Sequence, residues 1–128
     1  MNIKNMSSLK AYEMLTIDNK AIIIDVRTSN EWQTVGVPQL SKQQLIFLSW
    51  RLLPDMLLNN HFTNQLMSHI KNVETNLLFL CRSGGRSYEA ANLISSLGYT
   101  NCYNIIDGFE GGINGIGWQR NNLPWQVL

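Results

Sequence analysis

Short apolar runs alternate along this chain with segments in which apolar residues recur at helical spacing. Four runs have the length of strands and are predominantly apolar, as in parallel sheets buried on both faces: 21–26, 45–50, Leu77–Leu80 and 102–106. The first is rich in isoleucine and is stopped by the charged residues Asp25 and Arg27. The pattern therefore predicts four buried strands.

Helical periodicity separates these strands. Residues 60–73 carry apolar side chains at helical spacing, and residues 87–97 carry a second apolar stripe that Gly98 is expected to end. One helical turn is predicted over residues 28–33. A first helix is expected to begin at a cap formed by Ser7 or Ser8.

Strands that alternate with helices predict an α/β fold with a mostly parallel sheet. In such sheets the ligand lies outside the carboxyl ends of the strands. In this chain those ends lie near Asp25, Trp50, Cys81 and Ile106. The sequence thus indicates one edge of the sheet as the place for a functional site.

Composition and charge narrow the class of protein. Apolar residues make up 45% of the 128 residues, which is enough for a hydrophobic core and argues against intrinsic disorder. Ten Lys and Arg residues are balanced by nine Asp and Glu residues without a basic stripe, so no nucleic-acid partner is expected. No apolar run approaches the ~20 residues of a membrane span, and the polar amino terminus does not resemble a secretion signal. The lack of a long apolar run predicts no membrane partner. Two cysteines cannot form a disulfide framework, so we expect a reducing, cytoplasmic location.

The seven-residue segment that starts at Cys81, Cys-Arg-Ser-Gly-Gly-Arg-Ser, lies between a predicted strand and a predicted helix. Cys81 is the first residue after the strand, so its sulfur is expected to face the mouth of the loop. Gly84 and Gly85 allow the backbone to curl tightly, and its N–H groups and the helix amino terminus suit an anion. Arg82 and Arg86 add positive charge. Surroundings of this kind favour a thiolate, which predicts that Cys81 is a nucleophile.

Other kinds of site have less support. His61 and His69 both fall in a helical segment, where we expect them on the solvent side, so a Cys-His pair of the protease type is not indicated. The sequence has no cluster with metal-ligand spacing and no G-x-x-x-x-G-K loop. No metal and no cofactor are therefore expected.

The order and spacing of several short motifs resemble those of the rhodanese, or sulfurtransferase, domain. In chain order these motifs are Ile24-Asp25-Val26-Arg27, Glu31-Trp32, the loop from Cys81 to Ser87, Ala90-Ala91, Leu97-Gly98-Tyr99, Asp107-Gly108-Phe109-Glu110-Gly111-Gly112, Gly117-Trp118 and Leu123-Pro124-Trp125. They cover nearly the whole chain. The resemblance implies one rhodanese-like domain over residues 1–128, with a sheet of about five strands and helices on both faces.

The resemblance also implies an activity. In that family the loop cysteine accepts a sulfane sulfur and becomes a persulfide, which makes Cys81 the predicted catalytic residue. The predicted substrate-binding cradle is formed by the backbone amides of Arg82, Ser83, Gly84, Gly85, Arg86 and Ser87. Arg82 and Arg86 would attract a small anionic donor such as thiosulfate. Cyanide, a thiol or a partner protein would then accept the sulfur.

Two alternatives stay open beside a sulfurtransferase. A carrier module that passes sulfur only within a complex predicts a persulfide on Cys81 with negligible turnover on small acceptors. A phosphatase or arsenate reductase is disfavoured, because phosphatases that resemble rhodaneses have five residues between Cys and Arg and this chain has four. The loop also lacks an acidic residue that could protonate a leaving alcohol.

Several nearby residues have structural interpretations. Cys102 lies in an apolar run without neighbouring charge and is predicted to fill the core. Asp25 and Arg27 are expected to pair with neighbours such as Glu31 at the end of their strand. The structural alternative to a role in anion binding is that the loop arginines are solvated or pair with Glu89.

Overall fold

The structure, a computed structural model, describes residues 2–128. In chain order its elements are β1 (Lys4–Met6), α1 (Ser8–Ile17), β2 (Ile22–Asp25), α2 (Ser29–Thr34), β3 (Val37–Pro38), a short 3₁₀ helix (Lys42–Gln44), β4 (Leu45–Phe47), β5 (Arg51–Leu52), β6 (Leu57–Leu58), α3 (Phe62–His69), β7 (Leu77–Leu80), α4 (Gly85–Ser96), β8 (Cys102–Ile105), α5 (Gly117–Arg120) and β9 (Trp125–Gln126). The predicted α/β class is confirmed.

The central sheet has five strands in the order β1-β8-β7-β2-β4, and every pairing is parallel. Two small antiparallel pairs, β3 with β9 and β5 with β6, lie outside it. Because the five strands run in the same direction, their carboxyl ends form one edge. Asp25 pairs with Leu80 at that edge, which places Cys81 beside the end of β2.

Helices cover both faces of the sheet, as the resemblance implies. On one face, α3 and α4 pack on a buried cluster that includes Ile24, Leu77, Phe79, Cys81 and Cys102. On the other face, α1 and α5 pack on a cluster that includes Ile23, Leu78, Leu80 and Ile105. Neighbouring residues of the central strands β2 and β7 thus alternate between the two cores, which explains why these strands are almost entirely apolar.

The boundaries of several elements differ from the sequence prediction. The strand predicted over 45–50 ends at Phe47, because the chain then turns around the end of β2, where the Ser49 hydroxyl donates to the carbonyl of Arg27. The helix predicted over 60–73 spans only Phe62–His69 and ends where Ile70 becomes extended. The helix predicted over 87–97 begins two residues earlier, at Gly85. The turn predicted over 28–33 is α2, with Thr28 as its cap.

Strand β1 was not among the predicted strands. Its residues, Lys-Asn-Met, form no apolar run, since the strand lies at the edge of the sheet and is mostly exposed. Pairing with β8 and the packing of Met6 on the core hold it there.

The remaining predictions about exposure and capping agree with the structure. Ser7 caps α1 by accepting a hydrogen bond from the amide of Lys10. His61 and His69 are both exposed, as predicted. Across residues 2–128, no helix has the length and apolar character needed to cross a bilayer.

Candidate functional site

The Cys81 side chain lies at the carboxyl edge of the sheet, directly after β7. Only 1% of the residue is exposed, and its sulfur has two polar neighbours. The backbone N–H of Gly84 donates to Sγ at 3.1 Å, and the hydroxyl oxygen of Ser87 lies 3.2 Å from Sγ. The loop therefore curls back on the cysteine, as its glycines predict.

The tight loop depends on a glycine at position 84. Gly84 has a φ of 109° and caps α4, and a Cβ atom there would lie 2.6 Å from the carbonyl oxygen of Ile106. The tail of the chain braces the loop from outside, because the amides of Phe109 and Glu110 donate to the carbonyls of Cys81 and Arg82. Backbone hydrogen bonds thus fix both sides of the loop.

Arg86 forms a partly buried ion pair with Glu31 of α2. Its two terminal nitrogens donate to the two carboxylate oxygens at 2.8 and 2.9 Å, the bidentate geometry that arginine favours. Glu31 also accepts hydrogen bonds from the backbone and hydroxyl of Thr28, which completes a capping box at the start of α2. The charge of Arg86 is therefore matched by a carboxylate, and its predicted role in attracting a free anion has weaker support than the sequence indicated.

This environment changes the pKa of both partners. Burial acts to raise the pKa of Glu31, but the hydrogen bonds from Arg86 and Thr28 and the charge of Arg86 outweigh it and lower the pKa from 4.5 to about 2. The hydrogen bond to Glu31 is also the main reason that the pKa of Arg86 is raised. The pair is ionised at neutral pH and fastens α2 to the loop.

The Glu31 pair is expected to make the fold sensitive to acid. A carboxylate whose pKa is lower in the folded state stabilises the protein above its unfolded pKa, and this contribution is lost as the pH falls from about 4.5 towards 2. As the pH falls over this range, the unfolding free energy of Glu31→Gln should therefore decrease by about 2 kcal/mol less than that of the wild type. Urea unfolding at several pH values measures the difference.

Glu13→Gln is the matched control, because Glu13 is an exposed carboxylate of α1 that pairs with exposed Lys10 at 3.7 Å. Exposed pairs of this kind contribute little to stability, so the acid sensitivity of this variant should follow the wild type. Parallel pH profiles for Glu31→Gln and the wild type would contradict the assignment.

The other arginines near the loop also have acidic partners. Arg82 is the most accessible, with 65% of its side chain exposed, and its Nε lies 3.5 Å from a carboxylate oxygen of Glu110. Glu89 pairs with neither loop arginine: it accepts a hydrogen bond from the indole of Trp50 and lies 3.9 Å from Arg51. The proposed pairing of the loop arginines with Glu89 is thus wrong, and Trp50 is a buried residue tied to α4.

Asp25 and Arg27 pair with each other rather than with Glu31. Both are fully buried at the end of β2, and Arg27 donates from Nε and Nη2 to the two carboxylate oxygens at 2.9 and 2.7 Å. Arg27 also donates to the carbonyl of Gly36 and stacks on the ring of Phe109. The structural interpretation of this pair is confirmed, with a different partner.

Sequence reasoning missed one polar residue of the site, Asn104 on β8. Its side-chain oxygen accepts a hydrogen bond from the Ser87 hydroxyl at 2.6 Å, and its side-chain nitrogen donates to the carbonyl of Gly84 at 3.1 Å. A signal was present, because Asn104 is a polar residue inside the apolar run 102–106.

The geometry agrees with comparisons to known proteins. The model of the family described as "STR4 middle domain" matches residues 3–127. A rhodanese-like domain-containing protein 4 of Arabidopsis thaliana chloroplasts is 29% identical over 124 residues, which are 93% of this chain and 25% of that protein. This chain belongs to the STR4 middle domain family of rhodanese-like domains.

Closer matches cover whole chains. An uncharacterized protein of Rickettsia conorii is 48% identical to this rhodanese-like domain over 98% of this chain and 99% of its own. The crystal structure of Rv0390 from M. tuberculosis superposes with a TM-score of 0.86 at 36% identity and covers 98% of both chains.

Within this rhodanese-like domain, the predicted site residues fall into three groups. Gly84 and Ser87 contact the sulfur of Cys81, whereas Arg86 is joined to Glu31. Arg82, Ser83 and Gly85 are exposed at the surface of the loop.

Cys102 is a buried free thiol. Burial raises its pKa to about 11, which agrees with its predicted place in the core. In the described residues, no group of three or more His, Cys, Asp and Glu side chains could hold a metal ion.

Proposed function

We propose that this rhodanese-like domain is a sulfurtransferase that moves a sulfane sulfur from a donor such as thiosulfate to a thiophilic acceptor. The observation that carries the proposal is the position of Cys81, whose sulfur lies at the start of a tight loop and accepts a hydrogen bond from Gly84 at 3.1 Å. Helix α4 begins at the next residue, Gly85, and directs its positive end towards the same loop. An N–H donor and a helix amino terminus both stabilise negative charge on sulfur.

The chemistry needs no oxidant or reductant. The Cys81 thiolate attacks the outer sulfur of thiosulfate, the S–S bond of thiosulfate breaks, and sulfite leaves with the bonding electron pair. Cys81 then carries one additional sulfur as a persulfide anion. An acceptor such as cyanide attacks that outer sulfur, the bond to Sγ breaks, and the thiolate is regenerated as thiocyanate leaves.

Charge around the loop bears on the choice of donor. Arg82 is exposed and only loosely paired, so it is the side chain that we assign to meeting a small anion. Arg86 contributes mainly by fastening the loop to α2. The predicted acceptors are thiols or a partner protein, and a cytoplasmic location belongs to the same proposal.

Mass spectrometry of the intact protein tests the proposal. After incubation with thiosulfate, the wild-type chain should gain one sulfur atom, and peptide mapping should place it on Cys81 rather than Cys102. Cyanide should remove it and release thiocyanate in repeated turnovers. A folded protein that gains no sulfur would overturn the proposal, and phosphate esters and arsenate would then be tested.

The same experiment separates turnover from simple sulfur carriage. A carrier module would form the persulfide but pass it slowly to cyanide or small thiols. The low exposure of Cys81 does not favour either outcome, because an acceptor needs to reach only the outer sulfur of the persulfide. The ratio of the unloading rate to the loading rate decides between them.

A further inference from the structure

Asn104 is a buried amide on a strand that is otherwise apolar. It lies opposite Phe79, the residue of β7 that stands two positions before Cys81. Only 4% of Asn104 is exposed. An amide in such a place costs free energy unless its hydrogen bonds are made. An apolar side chain such as leucine would need no hydrogen bonds at this position. The hydrogen-bond partners of the amide therefore indicate what Asn104 does.

Both hydrogen bonds of the Asn104 side chain go to the Cys81 loop. Its nitrogen donates to the carbonyl of Gly84, and its oxygen accepts from the hydroxyl of Ser87. A carbonyl can only accept, so the contact with Gly84 fixes which end of the amide faces Ser87. These are the same two residues whose N–H and hydroxyl contact the sulfur, at 3.1 and 3.2 Å.

We propose that Asn104 is a positioning residue for Cys81, acting through Gly84 and Ser87; the role in sulfur transfer rests on the proposed function. The Ser87 hydroxyl has a single proton, which it donates to Asn104, so it turns a lone pair towards a Cys81 thiol. When the sulfur carries charge instead, the same hydroxyl can rotate and donate to Sγ without moving its oxygen. That rotation breaks the hydrogen bond from Ser87 to Asn104, so in the charged state the amide holds the loop through the carbonyl of Gly84.

The test compares Asn104→Leu with Asn101→Leu. Asn101 precedes β8 at the opposite end of the strand, where its amide donates to the carbonyl of Glu74, so it is the matched control. Two rates are measured: alkylation of Cys81 by iodoacetamide, read by peptide mass, and sulfur transfer from thiosulfate to cyanide. Asn104→Leu should slow both rates about tenfold, the effect of losing one or two net hydrogen bonds. The loss should appear in kcat with little change in KM, because the amide positions the loop and does not hold the donor.

Two further comparisons exclude a purely structural role. In a Ser87→Ala background, Asn104→Leu should have a smaller effect on either rate, because one of the two groups through which it acts is gone. Ser87→Thr should react faster than Ser87→Val, a pair of similar shape in which only threonine keeps the hydroxyl. Thermal unfolding of each variant confirms that it is folded.

The outcomes are distinguishable from those of the proposed function. Wild-type rates in folded Asn104→Leu, or equal rates for Ser87→Thr and Ser87→Val, would overturn the positioning role even if sulfur transfer is real. Conversely, a wild-type chain that accepts no sulfur but whose alkylation depends on Asn104 would refute the sulfurtransferase and leave the positioning of Cys81 established. If Asn104→Leu does not fold, the Ser87 pair decides.

Discussion

The Cys81→Ser variant is expected to take no sulfur from thiosulfate and to transfer none to cyanide, while it remains folded. A serine hydroxyl is protonated at neutral pH and cannot form the persulfide bond on which the proposed cycle depends. Its oxygen keeps both polar partners of the sulfur, the Gly84 N–H and the Ser87 hydroxyl, so no buried group is left without a hydrogen bond. We expect a change of about 1 kcal/mol in the free energy of unfolding, measured in urea.

Cys102→Ala is the control for this prediction. Cys102 is buried among apolar residues, and its raised pKa of about 11 keeps it a thiol at neutral pH. The variant should therefore load sulfur like the wild type, although the small cavity that it leaves lowers stability. Sulfur gained by Cys81→Ser, or lost in folded Cys102→Ala, would contradict the assignment of Cys81 as the carrier.

Replacing Arg27 with methionine should cost about 3–5 kcal/mol of unfolding free energy, the usual effect of removing one partner of a buried ion pair. Arg27 and Asp25 are both inaccessible to solvent, and their side chains share two hydrogen bonds of 2.7 and 2.9 Å. Without the guanidinium, the carboxylate of Asp25 is buried and uncompensated at the edge of the sheet that carries Cys81. The variant also loses the contact with Phe109, which braces the Cys81 carbonyl.

Two controls accompany Arg27→Met in urea unfolding. Adding Asp25→Asn should recover part of the loss, since it removes the unpaired charge. Lys10→Met removes one partner of an exposed pair in α1 and should cost less than about 1 kcal/mol. A cost for Arg27→Met as small as that for Lys10→Met would show that this buried pair does not hold the sheet edge together.

The sequence indicated Cys81 as a candidate nucleophile because the residues that point to this chemistry are contiguous in the chain. The cysteine, the two glycines and the first turn of α4 lie within seven residues, so the Gly84 N–H and the Ser87 hydroxyl are close to the sulfur along the chain. The long apolar runs likewise predicted β2 and β7, since strands covered on both faces exclude polar residues almost completely. Each of these conclusions follows from interactions between near neighbours in the chain.

Contacts between residues that lie far apart in the chain could not be predicted in the same way. The sequence offered Glu89 as a partner for Arg82 and Arg86 and Glu31 as a partner for Arg27. The structure forms none of these pairs. Glu31 lies 55 residues from Arg86, and only the packing of α2 beside the loop decides that they meet. Strand β1 was missed for a related reason, because an edge strand needs no apolar run and is held by its neighbour.

The sequence by itself determined the fold class and the tight loop that begins at Cys81, because these follow from periodicity and from residues close together in the chain. The tertiary structure alone decided which charges are matched and which polar groups support the sulfur. Asn104 lies 17 residues from Ser87 and reaches the loop only because β8 pairs with β7. Hydrogen bonds and ion pairs act over about 3 Å, so contacts between distant segments become visible only when the chain is folded.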